Sequence, residues 1–498
     1  MGMKRYAGVT AVLAVTVVLS GCNIYRPYKR PDMKVQGLYR DTVSVNDTLR
    51  GDTTNMGNLP WQEVFTDAKL QKLIQQGLDN NIDLQTAILR VKEAQAQLTS
   101  ARSAFAPGFS LAPSGTVASF DKRKATWTYQ LPLSASWEVD LFGKLLNSKR
   151  GAKAALLQSE AGRQGVRTQV IATVANLYYT LLMLDRQLSI SEETAENLKL
   201  TVEMMKSLKS AGMTNEAGVV QAEANYFSVV ASLSDLKQSI RETENSFSIL
   251  LGQTPQAIDR GTIEEQRLPD RLAAGIPVQL LSNRPDVKQA EMALATAYAN
   301  TNVARASFYP GLSLTGAFGW TNDAGSMVIN PGKMIATATA SLVQPLFAKG
   351  ANRARLNVAK AQQEEARLAF QYALLNAGSE VSNALYQYKT ADDKGVWRDQ
   401  QISSLEKSVD YTKELMQIGS ATYLEVITAQ QSLLSAQLSG VQDDYQRMEA
   451  VVNLYHALGG GRGENTLREK DMKVYDSVYE KATRQTRADR KKAAKEIR

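Results

Sequence analysis

The sequence predicts a mainly α-helical chain that is internally duplicated and carries a membrane β part. Three observations lead there. A twelve-residue motif is written twice, as "SARSAFAPGFSL" (Ser100–Leu111) and "VARASFYPGLSL" (Val303–Leu314), with seven of the twelve positions identical. Each copy is followed by short stretches rich in Thr, Ser and aromatics. After these the chain runs without proline from Lys144 to Leu208 and again from Lys349 to Ile418.

The duplication extends well beyond the motif. "SWEVDLFGK" (Ser136–Lys144) pairs with "SLVQPLFAK" (Ser341–Lys349), and Gly212, Val219, Ala222, Leu251 and Gly252 pair with Gly419, Val426, Ala429, Leu458 and Gly459. The offset grows from 203 to 205 to 207, so two small insertions separate otherwise collinear copies. Two structural repeats result, 61–260 and 275–463, joined by a linker at 261–274 and followed by a basic tail at 464–498. A self-similar chain of this kind is read repeat by repeat.

The N-terminus stands apart. Residues 1–21 have a basic start (Lys4, Arg5) and an apolar run from Ala7 to Leu19, too short for the ~20 residues that span a bilayer. The run ends in "LSGC", the pattern of a bacterial lipoprotein signal, with Cys22 as the lipid-bearing residue. Asn23 after it favours the outer membrane. Residues 22–60 are then a lipid-anchored extended segment. Cys22 is the single cysteine of the 498 residues, so no disulfide is possible.

Composition narrows the function. With one histidine, His456, and no cysteine beyond the lipid site, metal and nucleophile constellations are absent, and the chain reads as a non-enzyme without cofactor other than the covalent lipid. The net charge of +8 is not a nucleic-acid signature. Two positive charges leave with the signal and the tail holds a net five, so the body is nearly neutral.

Taken in order, each repeat opens with a helix. Leu84, Ile88, Val91 and Leu98 fall at helical spacing behind Asp83, and the second copy starts at Pro285–Asp286. Both helices stop at Pro-Gly, Pro107–Gly108 and Pro310–Gly311. The next stretches, about 108–140 and 311–346, read as one hairpin each, with Trp127, Tyr129, Leu131 and Leu133 alternating against Thr128, Gln130, Pro132 and Ser134. Strands of ~10 tilted residues suit a membrane barrel, and Trp127, Tyr129, Trp137 and Trp320 suit its aromatic girdles. A small soluble β-domain with surface tryptophans fits the same pattern. The proline-free stretches then predict helices of ~100 Å.

Turns at Gly212 and Gly419 return the chain as a second helix. Leu424, Ile427, Gln431, Leu434, Leu438, Val441, Tyr445, Met448, Val452 and Tyr455 alternate three and four apart, a coiled-coil stripe with one polar interruption. Tyr226, Val229, Leu233, Leu236, Ile240, Thr243, Phe247 and Leu250 do the same on a rotated face, which points to a wall of helices. Two hairpins give four strands, and four strands cannot close. If the hairpins lie in lipid, each unpaired backbone group costs several kcal/mol, and several chains must then share one barrel.

These residues resemble a known family. "CNIYRPYKRP", "NRPDVKQAE" (Asn283–Glu291), "ARASFYPGLSLTGAFG" (Ala304–Gly319), "SWEVDLFGKL", "QPLFAKGANRARLNVAKA", "IGSATYLEVITAQQSLLSAQ" and "LYHALGGG" are similar, in order, to characteristic stretches of the TolC-like outer-membrane factors. The likeness is to the lipoprotein branch that serves resistance–nodulation–division (RND) efflux pumps, and it runs along nearly the whole mature chain. It implies a homotrimer whose twelve-stranded β-barrel is continuous with a twelve-helix periplasmic tunnel. Pro107, Gly108, Pro310, Gly311 and Pro345 would mark the barrel–tunnel junction. The turns at Gly212 and Gly419 would face a periplasmic adaptor, within Lys209–Gly218 and Gln417–Glu425. Where the family tends to place aspartates at the constriction, this chain has Glu425 and Thr428 in one repeat and Gly218 and Gln221 in the other. Glu425 then serves as a cation-attracting ring or as a first-turn helix residue favoured by the dipole.

The implied function is that of a passive exit duct in the outer membrane. It would be opened by the adaptor and driven by an inner-membrane RND pump, with no nucleic-acid partner. A duct of type I protein secretion and a lipid-tethered periplasmic coiled-coil scaffold without a pore are the alternatives. "GGGRGE" (Gly459–Glu464) follows a helix and lacks the Lys-Ser/Thr of a phosphate loop, so it reads as a helix stop. Asp392–Asp393 and Asp443–Asp444 read as solvated faces or turns, and His456 as packing.

Overall fold

The structure, a computed structural model of the full chain, describes residues 25–33, 37–38, 55–119, 121, 124–269, 279–322 and 333–462. The signal, Cys22, part of the linker and the basic tail lie outside the described residues. The helices are α1 (Trp61–Val64), α2 (Ala68–Asn80), α3 (Ile82–Ser103), α4 (Lys144–Ser210), α5 (Glu216–Leu250), α6 (Leu280–Asn283), α7 (Pro285–Ala306), α8 (Ala351–Gln417) and α9 (Tyr423–Ala457). The strands are β1 (Gly108–Leu111), β2 (Ser114–Ala118), β3 (Thr126–Val139), β4 (Gly311–Asn322) and β5 (Lys333–Val343).

The duplication is visible in element lengths. α3 and α7 each have 22 residues, α4 and α8 each 67, and α5 and α9 each 35. The repeats are nevertheless not the compact units. One unit comprises 1–42, 82–166 and 276–382, and the other 43–81, 167–275 and 383–498, so each draws on both repeats. The physical reason in the first unit is the sheet, because β3 of one repeat pairs with β4 of the other.

In that unit all pairings are antiparallel. β1 and β2 both lie along β3, interrupted at Ala112–Pro113, and β3, β4 and β5 follow in order. One face carries exposed apolar side chains, among them Phe109, Leu111, Val117, Trp127, Leu133 and Leu342, and the other carries mostly small and polar ones such as Ser110, Thr128, Ser134 and Thr315. A half-buried soluble sheet would instead have its apolar face covered. Pro132 stands in the middle of β3 opposite Gly319. A Cβ on Gly319 would lie 2.1 Å from the Leu131 carbonyl oxygen, so only glycine fits this close approach.

The N-terminal segment is tied to the same unit. Arg30 makes a bidentate pair with the buried Glu291 of α7, Nε to Oε1 at 2.6 Å and Nη2 to Oε2 at 2.7 Å. Tyr28 packs edge-on to Tyr298 at 5.9 Å, and Arg150 donates to the Tyr25 carbonyl at 3.1 Å. Burial, with the Glu291 charge beside it, pushes the Tyr28 hydroxyl up to about 12. Arg284, just before α7, is buried between Asp286 (2.5 Å) and Glu380 of α8 (2.6 Å).

The second unit is a helix wall around Leu70, Ile74, Ile171, Tyr178, Leu181, Leu182, Phe247, Leu251 and Tyr455, all fully buried. α2 lies close on α4, where a Cβ on Gly77 would sit 3.2 Å from Val174. Asp67 caps α2 and accepts from the Tyr178 hydroxyl at 2.6 Å and from Gln266 at 2.8 Å. Arg260 bridges Asp185 of α4 (2.5 Å) and Glu244 of α5 (2.6 Å).

α9 touches three helices, which accounts for the rotated seams. Thr180 of α4 donates to Tyr445 at 3.3 Å, Gln431 donates to Asn225 of α5 at 3.0 Å, and Arg398 of α8 donates to Asp443 at 3.0 Å. One buried stripe runs through Ile427, Val441, Met448, Val452 and Tyr455, a second through Val426, Ala429, Gln430, Ala436 and Asp443. Leu424, at the head of the predicted stripe, is exposed. Asp443 is buried and paired with Arg398 and Lys394, which corrects the reading of Asp443–Asp444 as a solvated pair.

Candidate functional site: hairpin tips and strand–helix junctions

Both long hairpins turn by the same device. At the end of α4, Met213 N–H bonds the Leu208 carbonyl and Gly212 N–H that of Lys209, each at 2.9 Å. At the end of α8, Ser420 N–H bonds Leu415 at 2.8 Å and Gly419 N–H bonds Met416 at 3.1 Å. This is the Schellman pattern, and it needs a left-handed residue at C′. Gly212 and Gly419 both have φ of 75°. The sequence places both turns correctly.

The return helices start differently. Asn215 caps α5 by accepting from Gly218 N–H at 3.1 Å. α9 starts with a capping box, in which Glu425 Oε2 accepts from Thr422 N–H at 2.6 Å and from its hydroxyl at 3.1 Å. The Glu425 carboxylate is therefore engaged locally, in the first turn where the helix dipole favours a negative charge. Thr428, one turn on, donates back to the Leu424 carbonyl at 2.7 Å. Gln221 is exposed one turn into α5. Gly218 sits over Met205, and a Cβ there would lie 2.9 Å from Cε, so an acid at this position would displace that contact.

Beneath the first tip lies a small apolar cluster of Val202, Met205, Val219 and Ala222, with Leu208, Tyr226 and Tyr423 packed on it. Ion pairs Lys206–Glu223 (2.7 Å) and Lys209–Glu216 rim it. Further along, α4, α8 and α9 line a cavity of about 810 Å³ with several charged side chains. Its Arg447 faces Asp392 (3.9 Å) and Asp444 (3.5 Å), and burial pushes the Asp444 carboxyl up. Among the described residues no group of three His, Cys, Asp or Glu side chains can hold a metal ion.

In the first unit, Pro107 and Pro310 each precede the glycine that opens a strand, Gly108 of β1 and Gly311 of β4. α3 and α7 end a few residues earlier, at Ser103 and Ala306, rather than at the Pro-Gly itself. Pro345 lies just past β5, ahead of α8. Two positions missed by sequence reasoning make the reverse passage from strand to helix. Gly143 (φ 70°) precedes α4 and Gly350 (φ 80°) precedes α8. The carbonyl of the repeated phenylalanine is tied down in both copies, Trp137 Nε1 donating to Phe105 at 2.9 Å and Gln344 Nε2 to Phe308 at 3.0 Å.

Two 22-residue helices, two strand pairs and two 67/35-residue hairpins in one chain are a distinctive combination, and family comparison matches it. The family described as outer membrane efflux protein matches residues 73–253 and 276–460, one block for each repeat. The chain belongs to the outer membrane efflux protein family. Within it, the cation efflux system protein CusC of Escherichia coli O6:H1 is 29% identical over 450 residues, covering 90% of this chain and 97% of that protein. The probable outer membrane lipoprotein SilC of Salmonella typhimurium is 27% identical over 457 residues, covering 90% and 98%. The open-state crystal structure of the Neisseria gonorrhoeae MtrE outer membrane channel superposes with a TM-score of 0.79 at 26% identity, covering 88% of this chain and 98% of that one. The resemblance in the motifs is thus shown as family membership, and the family sets the outer membrane and efflux as the setting of this site.

Proposed function

We propose that the chain is the exit duct of a tripartite efflux system, a passive conduit for small toxic compounds across periplasm and outer membrane. The observation that carries this reading is the five-stranded antiparallel sheet, four strands wide because β1 and β2 lie end to end along β3, with a pairing-competent edge on either side, β1–β2 at one and β5 at the other. Three copies would supply twelve strands and close the barrel, and a cyclic homotrimer is the simplest assembly that does so. The α4–α5 and α8–α9 hairpins would continue the barrel as the tunnel wall.

Energy and selectivity for the substrate would come from an inner-membrane RND-type pump, linked by a periplasmic adaptor. The adaptor would dock at the tips, Lys209–Gly218 and Gln417–Glu425, and favour a wider arrangement by binding it more tightly. Three copies of Glu425 at the tunnel tip would attract cations while still capping α9, with Thr428, Gln221 and Gly218 as the uncharged remainder of the constriction. A lipid on Cys22 would anchor the chain. The likeness to a relative named as a lipoprotein supports this, as does the Arg30–Glu291 clasp, which holds the chain only eight residues after Cys22. Nothing in this mechanism requires a catalytic step.

Conductance of the purified protein in planar bilayers tests the reading. Discrete single-channel steps, with cation preference reduced in Glu425→Gln, are the expected result. A preparation that never conducts favours the poreless scaffold.

A further inference from the structure

We propose that the open sheet edges of neighbouring copies meet in one register, with Leu342 of β5 opposite Leu111 of the next copy, and that Phe347 seats on Ala106 of that copy. This rests on the reading that several copies share a barrel. It adds which residues meet.

Among the described strands, β1 and β2 pair only with β3, and β5 pairs only with β4. The apolar residues at these edges are bare in a single chain, Leu111 63% and Leu342 64% exposed. Just past β5, Leu346 and Phe347 are 93% and 85% exposed, whereas their first-repeat counterparts Leu141 and Phe142 are half-buried.

The duplication says what that neighbour is. β1–β2 is the first-repeat copy of β4, and β3 is the first-repeat copy of β5. The β3–β4 contact inside the chain is therefore the internal copy of the contact between β5 and the next chain's β1. In β3–β4, Trp137 lies opposite Leu314 and Ser136 opposite Thr315. Trp137 corresponds to Leu342 and Leu314 to Leu111, which sets Leu342 against Leu111 and Ser341 against Ala112. The edge pair is then leucine on leucine, an apolar match of the kind that stabilises cross-strand pairs.

The junction obeys the same mapping. Phe142 stacks on Tyr309, ring centroids 4.9 Å apart and planes at 15°. Phe142 corresponds to Phe347, and Tyr309 to Ala106. Where the internal junction stacks two rings, the junction between copies would lay the Phe347 ring on a small side chain flanked by Phe105 and Pro107. Phe142 is half-buried by its partner, and Phe347 awaits its own.

One slip competes with this register. Gly108 pairs with Ser136 in the first hairpin, but Gly311 pairs with Val343 in the second, whose counterpart is Glu138. The repeats thus differ by two residues inside their hairpins, and a two-residue slip at the edge would put Leu342 against Phe109 while keeping every side chain on its face.

Paired cysteines in the full chain, extracted from outer membranes, decide it. Leu111→Cys with Leu342→Cys, oxidised by copper phenanthroline, should give a covalent three-copy band on non-reducing electrophoresis, absent from either single variant. Ala106→Cys with Phe347→Cys, bridged by a short bismaleimide, should give the same band and lies outside the strands if the first pair impairs assembly. Efficient linkage of Phe109→Cys with Leu342→Cys and none at Leu111 overturns the register while the shared barrel stands. No linkage from any pair in particles of three-copy native mass overturns the edge contact. A native mass of one copy instead overturns the shared-barrel reading beneath it.

Discussion

Gln431 of α9 donates from Nε2 to Oδ1 of Asn225 on α5 at 3.0 Å, and this bond is the polar step in an otherwise apolar seam. The interruption noted in the heptad stripe has a partner on the neighbouring hairpin. A polar residue in a coiled-coil seam lowers stability slightly and specifies which partner residue it meets. The two hairpins are thereby held in one alignment near their tips.

A double-mutant cycle on Asn225→Ala and Gln431→Ala should therefore show coupling of about 0.5 to 1 kcal/mol, small because the site is solvent-exposed. Local opening free energies of tip amides by hydrogen exchange provide the readout. Additive effects would mean that the bond carries no stability.

Gly212→Ala and Gly419→Ala should each loosen their tip by about 1 to 2 kcal/mol. No atom lies within 4 Å of an added Cβ at either position, so the cost is purely that of the left-handed backbone. Limited proteolysis should cut the variants faster between residues 211 and 215 or 418 and 422. Asparagine, which tolerates this region better, should recover part of the loss.

Arg284→Ala should destabilise the first unit by about 2 to 3 kcal/mol, because Asp286 and Glu380 lose their shared cation. The figure is set below the ~3–5 kcal/mol of a fully buried broken pair, since both carboxylates are partly exposed. Arg284→Met with Glu380→Gln should recover some of it, as measured by thermal denaturation in detergent.

Asp67 ties acid stability to the second unit. Burial pushes its carboxyl up, but bonds from Tyr178, Gln266 and two backbone N–H groups outweigh this and hold it below the ordinary range. Its contribution is present above the unfolded value of about 3.9 and is lost as pH falls through the lower folded value. Asp67→Asn should keep the helix cap yet flatten the decline in melting temperature below pH 4. An unchanged acid slope would contradict this assignment.

Much of this architecture is legible in the sequence. The 67-residue helices follow from stretches without a breaker, and the tip turns follow from a glycine at the same place in each repeat. The sheet is less so. Alternation reports which face a residue occupies, and a two-residue shift leaves the face unchanged, so the different registers of the Trp137 and Gln344 hairpins leave no periodic trace. Gly319 against Pro132 shows only as an isolated glycine in a strand. Arg30 and Glu291 are 261 residues apart, and no local pattern links them. Asp443–Asp444 look like a solvated pair because the cations that bury Asp443, Lys394 and Arg398, lie on another helix. For Glu425 the spacing could not distinguish a pore ring from a cap, and the structure assigns the cap without removing the carboxylate from the tip.

The proposed duct requires several copies of this chain to share one barrel. The most direct measurement is the native mass of the protein extracted by detergent from isolated outer membranes, with Cys22→Ala beside the wild type. Three copies in both, with the variant less firmly retained in the membrane, is the expected result. A water-soluble particle of one copy once the lipid is lost would contradict the account.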